Sequence, residues 1–166
     1  MAISATFAAW CLPFVLPLCL YVCFTDMARM KITNRAVLAL AAIFVVMGAI
    51  FLPMQLYLWH LGAMVAVLGI GIVLNAAGVM GAGDAKFIAA AAPFVALGDL
   101  RILMTLFMAI LVAAFIAHRG ARATPLRRLA PDWQSWHEGR RFPMGLALGP
   151  TLAVYLTLGA LYGTTA

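Results

Sequence analysis

The chain has 166 residues, 66% hydrophobic and only 10% charged, with a net charge of +6 and a mean hydropathy of +1.07. A soluble domain of this length cannot bury so much apolar surface, so a bilayer must cover it. Short alternating strands with charged turns are absent, which excludes a membrane β-barrel, and the basic residues sort by loop, a topology signal rather than a nucleic-acid one.

Lipid offers the backbone no hydrogen-bond partners, so spanning segments must be helical. The expected class is all-α: one polytopic integral-membrane domain over residues 1–166 with about six transmembrane helices. The first apolar segment, 5–24, lacks the basic n-region and small-residue cleavage site of a signal peptide and reads as a retained span. It holds Cys11, Cys19 and Cys23, which read as small packing residues, and Pro13 and Pro17, which should kink it. Asp26 stands at its end, followed by a short loop with Arg29, Lys31 and Arg35.

Segments 36–54 and 56–78 come next, with Trp59-His60 where an interfacial aromatic belt is expected. Gly78, near the end of the third segment, should let another helix approach closely. The turn Gly81-Ala82-Gly83-Asp84-Ala85-Lys86 then leads into a short fourth segment, 86–98, which contains Pro93 and should dip or tilt less than the others. Segment 101–117 leads to a long loop carrying Arg119, Arg122, Arg127, Arg128, Arg140 and Arg141. Within it Trp133 and Trp136 would share a face if helical, giving a helix at headgroup level in contact with anionic lipid. His118 and His137 read as solvated loop residues. The last segment, 143–163, has Pro143 and Pro150 in its first turns.

With six spans, ten of the eleven basic residues fall in loops on one side, and only Arg101 on the other. The positive-inside rule puts those loops in the cytoplasm and both termini outside, in the periplasm. Asp26 and Asp84 are thereby placed at one membrane face and at similar depth. Two neighbouring carboxylates cannot both ionise cheaply, so one can act as general base toward water while the other polarises a carbonyl. Gly81 and Gly83 would let the Asp84 carboxylate turn inward. Each acid has a plainer reading, Asp84 as a helix cap and Asp26 as a loop acid beside Arg29. A different class of function, a small proton-coupled transporter using the two aspartates as a relay, is the alternative. No metal constellation emerges, and no cofactor is implied.

The run Gly81-Ala82-Gly83-Asp84-Ala85-Lys86-Phe87 resembles the G-x-G-D-x-K motif of type IV prepilin peptidases. Asp26 followed by Lys31-Ile32-Thr33-Asn34 is similar to that family's aspartate and basic-Ile-Pro-Asn element, with Thr33 in the usual proline position. Phe142-Pro143-Met144-Gly145 with Gly149 is similar to the stretch opening the family's last helix. The resemblance implies an aspartyl endopeptidase of the bacterial cytoplasmic membrane that removes the leader of prepilin or pseudopilin precursors, with Asp26 and Asp84 as the catalytic pair. Lys86 would tune the pair or hold its turn, a snorkelling lysine being its plainer reading, and Asn34 would order the first loop. The first loop has about a dozen residues and lacks the paired cysteines of larger members. The chain therefore resembles the small, peptidase-only branch of tight-adherence (Flp-type) pilus systems, without methyltransferase activity.

Overall fold

Apolar runs longer than a bilayer's ~20-residue requirement become long helices in the computed structural model, which describes residues 1–138 and 141–165. They are α1 (Ala5–Arg29), α2 (Asn34–Phe51), α3 (Met54–Ala76), α4 (Ala82–Ala91), α5 (Leu100–Ala123), the single turn α6 (Gln134–His137) and α7 (Gly145–Tyr162). Among the described residues the only extended pairing is an isolated bridge between Ser4 and Thr164. Five of the helices are long and apolar enough to cross a membrane.

The fourth predicted segment is the exception. α4 has ten residues, then gives way to two 3-10 turns, Ala92–Phe94 and Leu97–Asp99. Pro93 causes the break, since it has no N–H to continue the α-helical ladder. Proline acts differently elsewhere. α1 runs on through Pro13 and Pro17, and α7 begins only at Gly145, which leaves Pro143 before the helix and Pro150 inside it rather than in its opening turn.

α1 is the centre of the assembly, packed against α7 and α2, while α3 and α2 flank α4 and α5 lies on α7. α7 approaches α1 closely enough that a Cβ on Gly149 would come within 2.9 Å of the Cys19 carbonyl oxygen. Cys11 and Cys19 are buried between these helices, as packing residues should be. The mid-bundle core is aromatic: Phe44 meets Phe94 edge-on at 5.4 Å between centroids and stacks on Tyr57 at 5.9 Å, with His60 turned inward against it. Outward faces of α3 and α5 stay apolar and exposed, as lipid-facing surfaces must.

Gly78 has a different reason from the one its sequence position suggests. Its φ is +73° and nothing lies within 4 Å of where a Cβ would be, so no helix approaches it. It closes α3 as a Schellman cap, with Val79 N–H donating to Leu74 O and Gly78 N–H to Asn75 O.

The end of the bundle away from the basic loops is tied by Asp99, which is 2% exposed. Its carboxylate accepts from the amides of Ala2 (2.7 Å) and Ile3 (3.1 Å) and from the Tyr155 hydroxyl (3.0 Å), while that hydroxyl accepts from Ala96 N–H. Three elements are thus joined by one acid. Asp99→Ala should leave buried donors unpaired and destabilise the fold by about 2–4 kcal/mol. A melting curve in detergent should show a clear drop, with Tyr155→Phe losing less.

Candidate active site

α1 carries Asp26 in its last full turn and ends at Met30, a left-handed residue (φ 52°) whose N–H still reaches Asp26 O at 2.9 Å. The chain thus reverses directly after the aspartate. Asp26 is 5% exposed, and its Oδ2 accepts a 2.6 Å hydrogen bond from Gly145 N–H. That amide is among the first of α7, one of the N-terminal donors that a helix cannot satisfy within itself. The glycine is required by proximity: a Cβ there would lie 2.9 Å from Asp26 Cβ and 3.0 Å from its Oδ2. Cys23 Sγ donates to Gly145 O at 3.4 Å and fixes the same junction from the other side.

Asp84 enters from the other direction, in the first turn of α4. Gly81 is the N-cap of that helix, and among the described residues no side-chain cap hydrogen bond is made there. Its carboxylate folds back over Gly81, with Oδ2 2.8 Å from the position a Cβ would take. Gly83 faces the first loop instead, since its Cβ would meet Ile32 Cβ at 3.3 Å. One glycine leaves room for the acid and the other for the loop.

Lys86 Nζ donates to Asn34 Oδ1 at 3.1 Å, joining the two motifs across 52 residues. Both side chains are exposed. That bond ties α4 to the start of α2. Thr33, which replaces the proline of the resembled motif, is the N-cap of α2 and accepts from Ala36 N–H at 3.3 Å. A threonine directly before an apolar run is a legible cap signal.

Asp26 and Asp84 line one cavity of about 710 Å³ at the basic end of the bundle. Its wall combines the first loop (Met30, Lys31, Ile32), the turn after α3 (Val79, Met80) and the entry to α7 (Phe142, Met144). Pro143, buried beside it, starts the approach to Gly145. The residues singled out in sequence that line the cavity include Asp26, Asp84, Gly81, Gly83, Lys31 and Gly78. Gly145 touches Asp26 from behind, and Lys86 with Asn34 braces the rim. Among the described residues no cluster of histidine, cysteine and acid could hold a metal.

The long loop is docked rather than free. Trp133 packs edge-on against Phe24 of α1 and stacks on Trp136, and Ser135 is fully buried over Met27. α6 is one turn, so no headgroup-level helix forms there. His118 was expected in solvent; it belongs to α5, is 4% exposed, and stacks on Trp136 at 5.0 Å while meeting Phe142 edge-on at 5.8 Å. Arg140, counted with the basic loop, lies outside the described residues.

A helical membrane-protein fold with two acids converging on one cavity narrows the class considerably. The family model of the type IV leader peptidase family matches residues 13–118, and the chain belongs to that family. The matched stretch contains both aspartates and stops before α7. No curated protein and no solved structure matches the chain.

Burial, and after it the neighbouring Asp26 charge, push the Asp84 carboxyl up to about 6. A raised acid binds more protons folded than unfolded, so the folded state loses stability as pH rises from about 4 through 6. Asp84→Asn should therefore melt higher than the parent at pH 7.5 and keep none of that gain at pH 4. Gly145→Ala should displace Asp26 and lower leader cleavage at least about tenfold, in gel-shift assays at equal membrane abundance. Lys86→Ala, which removes one exposed hydrogen bond, should reduce it only about two- to fivefold.

Proposed function

We propose that the protein is an aspartyl endopeptidase of the bacterial cytoplasmic membrane, and that Asp26 and Asp84 cut the leader from prepilin-like precursors of the Flp type. The observation that carries this reading is the convergence of the two carboxylates, from opposite chain directions, on one cavity. In the proposed topology the chain is a single domain that crosses six times, the broken fourth segment included, with the cavity at the cytoplasmic face and the termini in the periplasm.

One carboxylate takes a proton from a water held between the pair, and the resulting hydroxide attacks the scissile carbonyl carbon. The protonated partner donates to the carbonyl oxygen and stabilises the tetrahedral intermediate. Collapse breaks the C–N bond, and the proton gained by the base passes to the leaving amine. The Gly145 amide keeps Asp26 aimed into the cavity while one of its oxygens stays free to act. The substrate's apolar helix lies in the bilayer and unwinds locally to bring the bond to the cavity. The short first loop, without paired cysteines, supports peptidase activity without methyl transfer.

Proton transport has less support. Asp99, the acid at the far end, is held by two amides and a tyrosine hydroxyl, an anchoring role rather than a relay.

Co-expression with a candidate prepilin tests the proposal directly. Leader removal should occur with the parent and be lost with both Asp26→Ala and Asp84→Ala, all three being present equally in the membrane. Cleavage by either variant would rule out the dyad. The pair requires one proton, and the raised Asp84 value places the alkaline limb of the rate at or above about pH 6. Purified enzyme should therefore lose activity with rising pH above that limb, whereas a limb near pH 4 would contradict the pairing.

A further inference from the structure

A further cavity, about 410 Å³, lies where α5 ends, lined by Arg122, Ala123, Thr124, Pro125, Arg127 and Arg128. Three arginines line it, and among the described residues no acidic residue does. Arg122 is held by a 3.3 Å hydrogen bond from Nη1 to Glu138 O, while Arg127 and Arg128 are exposed. Guanidinium groups gathered without carboxylates match the charge and forked geometry of a phosphate.

A second observation identifies where that phosphate comes from. Along α5, Met104, Met108, Val112, Phe115, Arg119 and Arg122 recur at spacings of three and four, so they form one helix face. The four apolar members are each about half exposed, at 52%, 58%, 53% and 45%, and α5 packs on α7 with another face. Arg119 lies over the Phe115 ring at 5.2 Å, where the apolar row turns basic. From Met108 to Arg119 the helix rises about 16 Å, half of a ~30 Å hydrocarbon core. An acyl chain of one leaflet fits along the row, with its headgroup at the arginines.

We propose that this surface is a binding site for one anionic phospholipid, its acyl chains along α5 and its phosphate held by Arg122, Arg127 and Arg128. The site is separate from the two-aspartate cavity and does not depend on the peptidase reading. It replaces the headgroup-level helix expected from sequence with a defined pocket beside a docked loop.

Native mass spectrometry of protein released from phosphatidylcholine nanodiscs containing increasing phosphatidylglycerol tests it. Three chains are compared: the parent, R127Q/R128Q, and R29Q/R35Q as a control of equal charge loss, all four substituted residues being exposed. R127Q/R128Q should need about thirtyfold more phosphatidylglycerol to retain one anionic lipid, and the control less than about threefold more. Equal loss in both double variants would reduce the effect to diffuse surface charge and overturn the site, as would unchanged retention in R127Q/R128Q. Inorganic phosphate is added as a third arm. Displacement of the lipid by phosphate at equal concentration would assign the pocket to a soluble phosphate compound and overturn the lipid assignment.

Discussion

One hydrogen bond, from the Gly145 amide to the Asp26 carboxylate, organises the site from behind. It joins the end of α1 to the start of α7, the two helices at the centre of the assembly. Few neutral groups can hold a buried carboxylate at a fixed angle as well as the unpaired amides of a helix start. The glycine makes the contact possible by leaving out the one atom that would occupy the same space. Aromatic packing of Phe142 against His118 and Phe115 supports the segment that delivers the amide.

The opposite end of the protein uses a carboxylate for another purpose. Asp99 is saturated by three donors and ties the chain's N-terminal residues to the fourth segment and α7. Asp84 lines a cavity, and among the described residues no side-chain cap hydrogen bond closes the start of its helix. Acids of the same type thus stand in different settings in one small bundle, one surrounded by donors and the other lining a cavity.

Much of the architecture was legible because lipid restricts the backbone to helices and long apolar runs declare themselves. Asp26 and Asp84 could be paired in advance because charge sorting put both at one end of the molecule. What periodicity cannot show is which partner a residue finds. Asp99 carries no local sign of the N-terminal amides that close on it. His118 reads from sequence as a solvated loop residue, but Trp136 returns from 18 residues downstream to cover it. Gly78 was assigned to packing, while the backbone needed it for a left-handed turn. These misreadings share a cause: each depends on a contact or dihedral made by chain folding rather than by local composition.

The broken fourth segment has a mechanical consequence. An intact helix longer than the hydrocarbon thickness can tilt to suit its membrane. The stretch from Asp84 to Asp99 has little such freedom, being a ten-residue helix and two tight turns with its far end fastened to the start of α1. It acts as a strut of set length, and the depth of the cavity below the far surface is fixed by the protein. In the proposed six-span topology, a bilayer of different thickness would have to thin or thicken around this strut.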